Sequence, residues 1–182
     1  MFTHYVLDPV AFDIFLKLAA AILCGVIIGT ERIISHKAAG MRTYALVSMG
    51  AALFVIINDL LIARYTNAGL VVHDPLQIPS MIISGIGFLG AGIIIFRDKN
   101  VTGLTTASGL WATAAIGIAC GVGFYIPAFM ATLLAIFIFI ILWHVEREVK
   151  RFASPEEDRS GDTAEMAEVI AKPAKRRITR RV

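Results

Sequence analysis

Residues Ile126–Trp143 run through eighteen positions without one charged side chain. A run of that length and polarity spans a membrane, because about 20 helical residues cross ~30 Å of hydrocarbon. Four similar runs precede it, at residues 10–30, 43–62, 78–96 and 104–122. The pattern predicts an all-α fold, a polytopic membrane bundle of five helices over residues 1–144, followed by a charged tail at 145–182. The composition agrees. With 57% hydrophobic residues and a mean hydropathy of +0.74, a chain of 182 residues is too apolar for a soluble domain. The link GVGFYIP, carrying Gly123 and Pro127, reads as a tight helical hairpin between the last two spans.

Charge sets the orientation. Ten of the 17 Lys and Arg residues follow Trp143. The loop 31–42 carries Arg32, Lys37 and Arg42, the loop 97–100 carries Arg97 and Lys99, and the tail starts with Arg147, Lys150 and Arg151. Residues 1–12, 66–77 and 121–127 carry no basic side chain, and Arg64 alone breaks the pattern. The positive-inside rule puts the N-terminus outside and the tail in the cytoplasm. Tyr65 and Tyr125 fit the outer boundary, Tyr44 and Trp143 the inner one. The first run lacks a basic leader and an early small-residue cleavage site, so it is expected to stay in the protein. In the tail, Ser154-Pro155-Glu156-Glu157 reads as a helix start. The last stretch, residues 172–182, has six basic residues and no acidic one. It is solvated, or it docks on anionic headgroups or an acidic partner. Nothing in it stacks bases, so no nucleic-acid partner is expected.

Residues 84–92, SGIGFLGAG, spell G-x-G-x-x-G with Gly85, Gly87 and Gly90. A nucleotide-binding fingerprint needs a strand before it and a βαβ unit around it. Here apolar helix continues on both sides, so no nucleotide cofactor is expected. In lipid, helices associate by close backbone approach, which small residues permit. Ser80, Ser84, Gly87 and Ala91 form one stripe at helical spacing, with Gly85 and Gly92 beside it. The first span repeats the device as Ala21, Gly25 and Gly29, and the fourth is small or hydroxylated along most of its length. The three are expected to pack on one another. The bulky fifth span suits lipid or an oligomer face.

Polar residues gather at the inner ends. Glu31-Arg32, Arg42-Thr43, and Arg97, Asp98 and Asn100 could converge on one charged mouth, or anchor the helices. Along the fourth span run Thr105, Thr106, Ser108 and Thr113, either bonded to their own helix or lining a face toward the glycine helix. Trp111, mid-span, needs a partner for its indole N–H, which implies a protein or cavity neighbour. Near the outer end, Asp13 and Lys17 pair at i,i+4, Asp59 lies close to the interface, and His73-Asp74 sits in a loop. Cys24 and Cys120 read as packing residues. His4, His36, His73 and His144 lack metal-ligand spacing. No nucleophile–base pair is present, so an enzyme is not expected, and the sequence assigns no metal ligands.

Several of these motifs resemble those of one family. Gly25-Val-Ile-Ile-Gly29-Thr-Glu31-Arg32 is similar to its G-x-x-x-G-x-E-R, and Ala39-Gly40-Met41-Arg42-Thr43 to its A-G-x-R-T. Gly50-Ala51-Ala52-Leu53-Phe54, SGIGFLGAG and residues 97–117 follow in the family's order. This is the MgtC/SapB family of bacterial inner-membrane proteins, and the likeness covers roughly residues 17–123. The resemblance implies a small multi-pass inner-membrane protein linked to magnesium limitation and, in some pathogens, to survival inside macrophages. It also implies action on the membrane ATP synthase. Longer members carry an ACT-like C-terminal domain, whereas this sequence reads as a short form with a charged tail. The family's G-L-N-T is Gly103-Leu104-Thr105-Thr106 here, so any role of that Asn does not transfer. Two functions follow as expectations. One is a regulator of a membrane complex or of membrane energetics. The other is an oligomeric cation permease whose mouth holds Glu31, Arg42 and Asp98. Membrane lipids and a second copy of the chain are the expected partners in either case.

Overall fold

The computed structural model describes residues 9–66, 74, 76–97 and 100–153. The calls on His4, His73, Asp98, Lys99 and the tail from Ser154 onward fall outside the described residues. The chain divides into two compact units, Met1–Phe139 and Ile140–Val182.

Among its described residues the first unit holds five helices and a hairpin. Helix α1 is Pro9–Ile34, α2 Met41–Thr66, α3 Gln77–Ile93, α4 Leu104–Val122 and α5 Tyr125–Phe137. Strands β1 (Ile95–Arg97) and β2 (Asn100–Thr102) lie between α3 and α4. A π-helical turn, Ile138–Leu142, follows α5, and α6 is Trp143–Ala153. Among the described residues, four helical stretches are long and apolar enough to cross a membrane: Pro9–Ile34, Met41–Tyr65, Leu104–Val122 and Tyr125–Val149. Helix α3 is apolar but shorter, at 17 residues, the lower limit for a span.

Helix starts and stops follow local chemistry. Pro9 occupies the first position of α1, where its missing N–H costs nothing. The end of α1 is closed by paired backbone bonds, Lys37 N–H to Arg32 O and His36 N–H to Ile33 O. His36 takes the left-handed conformation there, φ 54°. The same closure ends α4, where Phe124 N–H donates to Ala119 O and Gly123 N–H to Cys120 O. There the left-handed residue is Gly123, φ 92°, the usual choice because it has no Cβ to strain.

The third span is shorter than expected. Residues 78–96 read as one apolar run, yet the helix stops at Ile93, and Ile94 turns extended with ψ 116°. Ile95 then pairs with Thr102, Phe96 with Val101 and Arg97 with Asn100, antiparallel. The run Ile93-Ile94-Ile95-Phe96 is β-branched and aromatic, which suits a strand, and a short apolar run does not declare its period.

The core lies between α1, α2 and α4. Ala21, Ile28, Tyr44, Ala52, Leu110 and Cys120 are its buried members. Glycines let these backbones touch. A Cβ at Gly25 would come 2.6 Å from Tyr44 O, and one at Gly29 would strike Met41 Cα at 2.5 Å. On α4, Gly121 faces Ala52 O at 2.8 Å in the same sense, and Gly117 faces the Ser48 backbone. The outside of the bundle is apolar all round: Phe15, Leu23, Phe54, Phe88, Ile126 and Phe129 are exposed. Aqueous surfaces seldom carry such continuous apolar area; lipid accepts it.

The small residues of α3 correct an expectation. Gly90 alone meets a neighbour, its Cβ position lying 3.4 Å from Ala107 Cβ of α4. Gly85, Gly87 and Gly92 have nothing within 4 Å, and Ser80, Ser84 and Ala91 are exposed. Within one protomer this stripe packs on neither the first nor the fourth span. The reason is rotational: the face that docks is centred on Ile83, Gly90 and Ile93, which leaves Gly87 at its edge and Ser84 outside it.

In the second unit the described residues 140–153 are helical, and 140–149, 151 and 152 are exposed. His144 Nδ1 lies 2.7 Å from Ile140 O, a carbonyl of the preceding turn. Arg147 stacks over Trp143 at 5.7 Å, and Arg151 pairs with Glu148 at 3.0 Å.

Candidate functional site

The last turn of α1 carries a buried ion pair. Glu31 and Arg32 are 8% and 2% exposed. Arg32 Nε and Nη2 both donate to Glu31 Oε2, and Ser35 Oγ donates to Glu31 Oε1 at 2.6 Å. The guanidinium carbon lies 3.6 Å from the centre of the Phe139 ring. A desolvated cation over a ring gains about 2 kcal/mol. Arg32 Nη1 is buried and has no hydrogen-bond partner in the structure.

Two other helices close around this pair. Tyr44, in the first turn of α2, is fully buried, and its hydroxyl donates to Thr106 O of α4 at 3.4 Å. Gly109 makes room: a Cβ there would lie 2.5 Å from Tyr44 Oη and 2.9 Å from Phe139 Cζ. Burying two charges costs several kcal/mol per ion, so the pair holds only while both members are present. Its surroundings satisfy Glu31 fully and Arg32 in part.

The structure therefore brings together part of the expected polar cluster. Glu31, Arg32 and Thr106 converge. Thr113 is buried one helical turn beyond Gly109, donating to Gly109 O at 2.8 Å. Arg42, Thr43 and Thr105 are exposed and stand apart from the buried pair. Arg97 and Asn100 face each other across the hairpin register. The buried face of α4 meets Tyr44, Ser48 and Ala52 of α2, and at Ala107 it meets Gly90 of the glycine helix; Ser108 and Thr113 bond to carbonyls of their own helix, the first of the two readings of that hydroxyl row. Trp111 is 51% exposed, so the enclosed setting that its indole N–H implied is not found among the described residues.

Tyr44 and Phe139 are the members that sequence reasoning missed. The sequence places Tyr44 in an interfacial belt, but Tyr44, Ser48 and Ala52 recur at i+4 on the face that packs against α4, and that spacing is the signal for its burial. Phe139 carried none, since it sits in a bulky apolar run of uniform character. At the outer end, Lys17 and Asp13 pair at 2.8 Å as expected. Asp59 is exposed, and Asp74 Oδ1 accepts the Leu76 N–H at 2.9 Å. Cys24 and Cys120 are free and buried. Among the described residues no group of three or more His, Cys, Asp or Glu could hold a metal ion.

Comparison with known proteins places this geometry. The model of the MgtC family matches residues 18–148. The chain is 46% identical over 106 residues to a protein of Escherichia coli K12 named putative magnesium transporter YhiD, a match covering 58% of this chain and 49% of that one. It is 33% identical to protein SapB of Bacillus subtilis, over 98% of this chain and 78% of SapB. To protein MgtC of Salmonella typhimurium it is 39% identical, over 77% of this chain and 57% of that protein. The matched region thus spans about half the length of YhiD. No solved structure matches. With its buried Glu31-Arg32 pair inside the matched segment, and with most of its length covered by the family model, the chain belongs to the MgtC family.

Proposed function

We propose that this protein is a regulator in the bacterial inner membrane, acting on another membrane complex, such as the ATP synthase, or on membrane energetics during magnesium limitation. One observation carries the reading. Among the described residues the buried carboxylate, Glu31, is closed on Arg32 and Ser35 and offers no free oxygen to a passing cation. The buried hydroxyls of Thr113 and Thr132 likewise donate within their own helices, to Gly109 O and Ala128 O. Such an interior resembles a packed structural core more than a polar path. The naming of YhiD as a putative magnesium transporter supports the other reading, a cation permease. Mg2+ keeps several waters and binds through few carboxylates, so a permease would use the charged ends of the helices.

Purified protein in liposomes loaded with a Mg2+-sensitive dye separates the two. The regulator reading expects no flux above empty liposomes, and co-purification of a membrane complex from native membranes. A flux abolished by Glu31→Ala or Asp98→Ala would overturn it.

A further inference from the structure

A groove of about 710 Å³ runs between α2 and α3. Thr43, Gly50 and Phe54 line it from α2, and Ile78, Gly85 and Leu89 from α3. It exists because Gly50 and Gly85 present no side chain, and nothing lies within 4 Å of either Cβ position. No charged residue lines it.

Its length says what fits. From Thr43 to Phe54 the helix rises about 16 Å at 1.5 Å per residue, roughly half of the ~30 Å hydrocarbon core. A membrane-spanning helix of a second copy needs the full thickness. One leaflet's acyl chain needs half.

The polar end of the groove selects the leaflet and the headgroup. Thr43 and Arg42 stand in the first turn of α2, the end where basic loops gather. Arg42 lies one turn before Leu46, itself a lining residue, so the two share a helix face. Side chains on a helix lean toward its N-terminus, which carries Arg42 toward headgroup level. Both Arg42 and Thr43 are exposed. Among the described residues, neither side chain has a hydrogen bond or ion pair. A free guanidinium fork beside a free hydroxyl matches the oxygens of a phosphate.

We propose that this groove binds an anionic phospholipid of the cytoplasmic leaflet, with one acyl chain between α2 and α3 and its phosphate on Arg42 and Thr43.

Native mass spectrometry of the full chain in mild detergent tests this, with titration of phosphatidylglycerol and, separately, phosphatidylcholine. The expected result is one phosphatidylglycerol retained per protomer, in preference to phosphatidylcholine. Arg42→Gln lowers that retention about fivefold, the share of one basic side chain at an anionic surface. Gly50→Leu and Gly85→Leu fill the groove and abolish retention of both lipids; their elution volumes check that they fold. Equal retention by wild type and all three variants means annular lipid only, and overturns the proposal. So does an oligomer that the leucine variants dissociate without altering bound lipid, since a second copy would then occupy the groove.

Discussion

The glycines of α1 and α4 and those of α3 occur in similar small-residue strings but stand in opposite surroundings. At Gly25, Gly29, Gly117 and Gly121, a neighbouring backbone occupies the space a Cβ would need. At Gly85, Gly87 and Gly92, that space is open to 4 Å. Small residues in lipid permit close approach; they do not by themselves create it. In the first set the permission is used inside the protomer, and it draws α1, α2 and α4 into one core. In the second set it leaves α3 attached along a single face, through Gly90 and Ala107, with a groove on its flank.

Substitution can break this contrast. The largest effect is expected at Gly117→Leu. The Ser48 backbone cannot yield as a flexible side chain would, so the variant should lose more than about 4 kcal/mol and fail to give a monodisperse peak in detergent. A Gly117→Leu protein with wild-type thermal stability would refute the close contact of α2 and α4. Next comes Arg32→Met, which strands the buried Glu31 carboxylate. A loss of about 3 kcal/mol is expected, measured by unfolding in mixed micelles. The double variant Glu31→Gln/Arg32→Met should recover most of it, because the cost lies in the unpaired charge. The smallest effect belongs to Gly87→Leu, whose Cβ meets nothing. Its stability should stay within about 0.5 kcal/mol of wild type in the same assay, and its helical circular dichroism should not change. A loss comparable to that of Gly117→Leu would mean that α3 is packed after all.

Much of the helical architecture was legible in the sequence, because apolar length reports directly on a helix that must satisfy its backbone inside a bilayer. Gly25, Gly29 and the Glu31-Arg32 pair were legible too, since two small residues four apart and an acidic residue in a basic loop are local signals. What escaped was rotation and partner choice. The string SGIGFLGAG says that α3 has a small face but not which way it turns, and Ser84 and Gly87 turned outward. Nor could the run 93–96 reveal that it leaves the helix, since Ile suits strand and buried helix alike. Phe139 reaches Arg32 from the turn that follows α5, and convergence between positions so distant in the chain has no spacing to read.

The hairpin at residues 95–102 carries a consequence of its own. A ribbon of two strands has two open edges, each with backbone N–H and C=O groups that its partner strand does not pair. Hydrocarbon offers those groups nothing, whereas water and headgroups do. Water or headgroups beside Ile95–Arg97 and Asn100–Thr102 would satisfy those groups, and bare hydrocarbon would not. Because α3 enters the hairpin and α4 leaves it, a ribbon held at such a waterline would set how deep both helices ride.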